Sequence, residues 1–110
     1  MKTVSRLEII VSSMEVPKIL EVLDKTGVAV YSVIRDVVGK GLFGTVSDDM
    51  DFASSSLSNA YIISFCPPEN LTQVVDAIRP VINKYGGVCY LSEAQEIRSI
   101  QCIAKFWGNP

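Results

Sequence analysis

Gly39-Lys40-Gly41 closes one apolar stretch and opens a polar one running from Leu42 to Ser58, and a second glycine pair, Gly86-Gly87, stands at the matching edge of the second half. Glycine lets a backbone turn sharply and brings its N–H groups close to a ligand. Two such corners with one lysine therefore suggest an anion or phosphate site. GKG by itself is a weak motif, and its placement at the boundary between ordered and polar sequence gives it weight.

The other residues capable of chemistry are few. The chain has no histidine, which removes Ser-His-Asp and Cys-His arrangements and the usual general base near neutral pH. Asp48, Asp49 and Asp51 form the one acidic cluster, in a serine-rich segment with five serines and three aspartates between Leu42 and Ser58. No rigid element holds those carboxylates, so they read as a solvated loop and no metal site is expected. Cys66, Cys89 and Cys102 are odd in number, with no CxxC spacing, which argues against a disulfide framework or zinc. Cys66 and Cys89 fall in apolar strand patterns and read as buried small hydrophobes; Cys102 lies in a less regular tail and stays open.

At 110 residues the chain is long enough for one core, so residues 1–110 are read as a single domain. Ten basic against twelve acidic residues give a net charge of -2, without the basic footprint of a nucleic-acid binder. MKTVSRLEIIV shows no long apolar run followed by a cleavage site, and no stretch approaches the roughly 18 apolar residues of a membrane span. A cytosolic protein is expected.

The elements that must position the two corners follow from the apolar pattern. LEIIVS (Leu7 to Ser12) reads as a strand. VPKILEVLDKTG then puts Ile19, Leu20 and Leu23 on one helical face, with Pro17 suited to the first turn and Gly27 to the C-cap. VAVYSVIRDVV (Val28 to Val38) is a β-branched strand leading into GKG, and YIISFC (Tyr61 to Cys66) is another. A second helix starts at Pro68 with Leu71, Val74, Val75, Ile78 and Ile82 at helical spacing; Pro80 is expected to kink or divide it. Gly86-Gly87 turns the chain into VCYL (Val88 to Leu91), the last core strand. The order βαββαβ predicts an α+β, ferredoxin-like fold with an antiparallel sheet covered by helices on one face. IIV, YSVI and YIISF alternate poorly, so the other face is expected to be covered as well. A subunit partner is the simplest cover, in keeping with 48% hydrophobic residues.

TGVAVYSVIRDVVGKG, the long polar loop after it and KYGGVCYLSEAQEIRSI together resemble the PII signal-transduction superfamily. The likeness spans residues 5 to about 100 and is nearest to the PII-like proteins associated with bicarbonate uptake and carboxysomes. The resemblance implies a homotrimer with an adenine nucleotide in each cleft between subunits. It also implies a T-loop over residues 41–59 that nucleotide orders or releases toward a partner, and a C-terminal tail over 99–110. Sensing, with no enzymatic step, would be its function. Carried over by position, Ser32 is the hydroxyl near the adenine, although a solvent-facing strand serine fits the same pattern. Ser64 falls at the adenine side of the third strand. Gly39, Lys40 and Gly41 stand at the start of the T-loop near the phosphates. Gly86, Gly87 and Val88 match the B-loop whose amides wrap them, and Arg98 matches an arginine reaching toward them.

Where nitrogen-regulatory members carry an arginine and a glutamine after the T-loop glycines, this chain has Leu42 and Phe43. Gly87 replaces a phosphate-binding lysine, and Ile100 replaces a second arginine. Missing charges weaken a triphosphate most, which favours ADP or AMP over ATP. The loop has no tyrosine to modify, and its missing glutamine argues against 2-oxoglutarate with magnesium. The subfamily's link to inorganic carbon implies bicarbonate at Gly39, Lys40 and Gly41, and a bicarbonate transporter or carboxysome-related protein as partner. A trimeric metal- or small-molecule-binding module, an amino-acid-binding regulatory module and a nucleotide-hydrolysing enzyme using Glu93, Glu96 or the loop aspartates remain alternatives. The metal reading is weakened by the missing histidines.

Overall fold

The computed structural model describes residues 1–41, 44–46 and 58–97. Arg98, Cys102, the acidic cluster and the 99–110 tail lie outside the described residues.

Strand β1 (Lys2–Ser12) leads through a 3-10 turn, Ser13–Glu15, into helix α1 (Val16–Thr26) and strand β2 (Val30–Val37). Two short strands follow, β3 (Gly39–Gly41) and β4 (Gly44–Val46), and then β5 (Asn59–Cys66). A 3-10 turn at Pro68–Asn70 precedes helix α2 (Leu71–Tyr85), and β6 (Val88–Glu96) completes the order. The main sheet runs β2-β5-β1-β6, with every neighbouring pair antiparallel. This is the ferredoxin-like arrangement that the element order implies.

One face carries the core. Leu7, Ile9 and Val11 of β1 alternate inward with Ala60, Ile62 and Cys66 of β5, and meet Val16, Ile19 and Leu23 of α1 and Val74 and Ile78 of α2. Leu20 packs against this cluster partly buried. α1 ends as its sequence dictates: Gly27 is left-handed at φ 73 and its N–H donates to the Asp24 carbonyl at 3.1 Å. The helices are tied side by side, with the Gln73 amide donating to the Thr26 carbonyl at 3.2 Å and Lys18 Nζ lying 4.5 Å from the Tyr85 ring centre.

Three boundaries differ from expectation. β1 and β6 extend to Lys2 and Glu96, where the ladder Lys2↔Glu96 through Leu7↔Leu91 recruits polar residues. Backbone pairing holds this stretch, and little apolar burial marks it in the sequence. The polar segment after GKG is not loop throughout, because Gly44–Val46 pairs with Gly39–Gly41, Lys40 opposite Thr45. Finally, α2 runs through Pro80 as one helix and is not divided there. Pro80 is exposed, so the missing N–H lies on the solvent side, while Val74, Ile78, Val81 and Ile82 keep their apolar contacts with the core. An interior proline costs about 3 kcal/mol, partly offset by a stiffer unfolded chain. Pro80→Ala is therefore expected to stabilise the domain by about 2 kcal/mol in urea denaturation; an unchanged or lowered midpoint would show that the helix already accommodates the ring without strain.

The second face of the sheet has no helix. Ile10, Ile34, Ile63, Phe65, Val88 and Tyr90 share it by register, and Ile34 and Tyr90 are 49% and 60% exposed. An apolar face of this kind marks an association surface.

Candidate functional site

The ladders fix where the two glycine corners lie. β2 runs antiparallel to β5, and β5 antiparallel to β1, so β2 and β1 point the same way. The end of β2, the start of β5 at Asn59, the end of β1 and the start of β6 at Val88 therefore meet at one end of the sheet. GKG leaves this end from β2, and Gly86-Gly87 enters it before β6. These are opposite edge strands, three interstrand spacings apart, about 14 Å.

At the first corner the β2–β5 ladder slips between Arg35 and Val37, and Asp36 adopts φ 60. A bulge with a left-handed residue turns the strand, and aspartate tolerates that conformation better than most. The chain then enters the β3–β4 ribbon, where Lys40 pairs with Thr45. The return leg is anchored: Ser13 N–H donates to the Ser58 carbonyl at 2.9 Å, and the hydroxyls of Ser13 and Ser58 lie 2.7 Å apart, with Ser58 buried. Thus the loop emerges from a bulge on one side and a buried clamp on the other.

At the second corner, Gly86 ends α2 at φ 89 and its N–H donates to the Ile82 carbonyl at 2.8 Å. Gly87 follows at φ 118, and a Cβ placed there would lie 2.8 Å from both the Ile10 carbonyl oxygen and Val11 Cγ1. The two glycines thus have different reasons to be glycine. Gly86 needs only the backbone conformation, whereas Gly87 also lies against the end of β1. Val88, next in the chain, is 42% exposed.

The two serines do not converge. Ser32 is exposed and stands opposite Ile63 on the helix-free face. Ser64 is fully buried on the helix-covered face, where its hydroxyl donates to the Val30 carbonyl at 2.9 Å. One step of register along β5 separates the two faces. Ser64 ties β5 to β2 in this chain, and its hydroxyl is already engaged.

A polar cluster that the sequence reading passed over sits in the middle of the helix-free face. Tyr61 donates its hydroxyl hydrogen to Glu8 Oε1, and Arg6 Nε lies 3.6 Å from Glu8 Oε2. The Glu8 hydrogen bond holds the Tyr61 phenol above its ordinary pKa, with burial and the carboxylate charge adding to it. Arg6 and Glu8 two apart in a strand were a period-2 signal of a shared face. Burial pushes the Cys89 thiol up to about 11 and the Cys66 thiol upward, in keeping with structural cysteines. Among the described residues no group of side chains is arranged to hold a metal ion, and no helix is long and apolar enough to cross a membrane.

The chain belongs to the family of the nitrogen regulatory protein P-II, whose match spans residues 4–101. This membership supports a homotrimer built on the ferredoxin-like fold. Among solved structures it is similar to CPII, a nitrogen regulatory PII-like protein from Thiomonas intermedia K12, in a form bound to ADP, AMP and bicarbonate. That likeness has a TM-score of 0.76 and 24% identity over 87% of this chain and 90% of the other. CPII bound to ADP and bicarbonate gives a TM-score of 0.73 at 23% identity, over 87% and 90% of the two chains. A PII-like signaling protein from Thermus thermophilus gives 0.72 at 13% identity, over 88% and 92%. At these identities the likeness is one of fold. Comparison with curated proteins gave no match.

Proposed function

We propose that this protein is a regulatory sensor of adenine nucleotides, binding ADP or AMP in preference to ATP in clefts between the subunits of its homotrimer. The observation that carries the reading is the placement of the two glycine corners, at the same end of the sheet but on opposite edges. The strands that lead to the two corners of one chain lie about 14 Å apart at the sheet, a wide gap for a single ligand phosphate to bridge. Such a phosphate can lie between the β2 edge of one subunit and the β6 edge of the next, which makes the site composite and ties it to assembly. Gly39, Lys40 and Gly41 would then come from one subunit and Gly86, Gly87 and Val88 from its neighbour, with Ser32 beside the base; Arg98 follows the opposite end of β6, past Glu96, so it would reach the phosphates only across a further subunit boundary. Family membership supports a regulatory protein rather than an enzyme, and a cytoplasmic location is part of the same proposal.

The bicarbonate bound by the structurally similar CPII supports a second ligand here, an anion held near the amides of Gly39 to Gly41 and the Lys40 charge. The 41–59 segment would carry the signal to a partner in inorganic carbon uptake or the carboxysome. Its two-sided anchoring fits that role, since ligand contacts at Gly39–Gly41 act directly on the ribbon from which the loop emerges.

Calorimetric titration with AMP, ADP, ATP and cyclic AMP, each with and without bicarbonate, tests the reading. One nucleotide per subunit is expected, tightest for ADP or AMP, with Lys40→Ala and Arg98→Ala each weakening it about tenfold or more, the size of a lost charge-assisted hydrogen bond. If none of the four nucleotides binds, the glycine corners are ordinary turns and the sensor reading fails. If bicarbonate leaves nucleotide affinity unchanged, the second-ligand part fails alone.

A further inference from the structure

The helix-covered face of the sheet is not covered to its edge. Leu91 points to that face, opposite the buried Leu7, and is nonetheless 51% exposed because α2 does not reach across β6. The result is an open groove of about 230 Å³, walled by Val75, Ile78 and Ile82 of α2 and by Cys89 and Leu91 of β6, with Arg79 beside them. An apolar groove against a packed core exposes surface whose covering is favourable by roughly 25 cal/mol per Å².

The same edge strand delivers a candidate cover. β6 ends at Glu96, and Ile97 beyond it is 80% exposed. The groove lies back along β6, with Leu91 six residues before Ile97, about 20 Å at strand rise. Phe106 and Trp107 stand nine and ten residues beyond Ile97, a reach of up to about 30 Å. A chain that reverses just after Ile97 and returns beside β6 therefore brings this aromatic pair level with Cys89 and Leu91. Residues 98–110 contain no aspartate or glutamate and place Ile100, Ile103 and Phe106 at regular three-residue intervals. That composition suits an apolar wall, and a guanidinium such as Arg79 is a favourable neighbour for an indole face.

We propose that the groove between α2 and β6 is the seat of Phe106 and Trp107 of the same chain, so that the 98–110 segment completes the core cover of its own subunit. The seat lies on the same β6 strand whose start the proposed nucleotide cleft uses, and its test is made without nucleotide.

Trp107 is the chain's one tryptophan, so its fluorescence reports the contact in the full-length trimer. Emission is expected to be blue-shifted and poorly quenched by acrylamide, and Leu91→Asp or Ile82→Asp should shift it to the red and raise quenching several-fold. Arg79→Ala, a surface change that leaves the fold intact, should raise quenching to a smaller extent. An exposed indole in the unmodified protein, or a buried one indifferent to all three substitutions, overturns the proposal. Subunit exchange between Leu91→Asp, which keeps the tryptophan, and Trp107→Ala, which keeps the groove, separates the two chains that could supply the aromatic. The emission of the mixture is expected to stay that of Leu91→Asp. A return of the blue shift would mean the segment seats on a neighbouring subunit, and would overturn the same-chain assignment.

Discussion

Gly87→Ala is expected to destabilise the domain by about 4 kcal/mol, against about 1–2 kcal/mol for Gly86→Ala next to it. Both glycines have positive φ, 89 and 118, so both substitutions carry backbone strain of order 1–3 kcal/mol. Only Gly87 adds a collision, since its Cβ would lie 2.8 Å from the Ile10 carbonyl oxygen and from Val11 Cγ1, whereas nothing lies within 4 Å of a Cβ on Gly86. The Ile10 carbonyl belongs to a central strand paired on both sides, so it has little freedom to retreat. Overpacking against such a neighbour costs about a further 1–3 kcal/mol. Urea denaturation of the two variants side by side isolates the collision from the strain. Equal losses would mean that the Gly86-Gly87 corner opens freely away from β1, and the close packing at that end of the sheet would not be a property of the protein in solution.

The same corner shows what a sequence discloses and what it withholds. Two adjacent glycines after an apolar helix announce a turn, and their matching with GKG is what points to the proposed site. The sequence does not disclose that one of the pair is held by the backbone of the first strand, at the far end of the chain, since that contact exists only once β6 lies beside β1. Ser64 makes the point in reverse. The resemblance set Ser64 at the adenine side by position, and which face its hydroxyl takes is fixed only by the register of the whole ladder, since a strand has period 2. Here Ala60, Ile62 and Cys66 take the covered face and carry Ser64 with them. Pro80 was legible as a breaker because propensity is local; it is overridden because the apolar stripe through Val74, Ile78 and Ile82 is anchored on the core from both sides of it. The polar cluster Arg6, Glu8 and Tyr61 was hidden by distance along the chain, since Tyr61 joins β1 only through the β1–β5 ladder. In contrast, the cap of α1 was readable from spacing within a single element, and the antiparallel sheet and its second face from the order and patterning of successive elements.

The uncovered face leads to the second large effect, which is on assembly. Ile63 sits on it at mid-strand, opposite Ser32 on one side and Glu8 on the other, and is half-buried in the single chain. In Ile63→Asp the new carboxylate is solvated while the subunit is alone, and no helix packs over it, so the fold should survive with a loss within about 1 kcal/mol. Trimer formation on this face would instead bury that carboxylate next to Glu8, whose oxygens are already engaged by Tyr61 and Arg6. A buried carboxylate without a free partner costs several kcal/mol, and each trimer would bury three. At about 3 kcal/mol per subunit the association constant falls by roughly six orders of magnitude. Sedimentation equilibrium is expected to show a folded monomer where the unmodified protein is a trimer. Because the proposed nucleotide cleft draws one glycine corner from each of two subunits, the same substitution should abolish nucleotide binding, although Ile63 belongs to neither corner. A variant that remains trimeric would move the interface to another face. A monomeric variant that still bound nucleotide would require a site complete within one chain and would overturn the composite cleft.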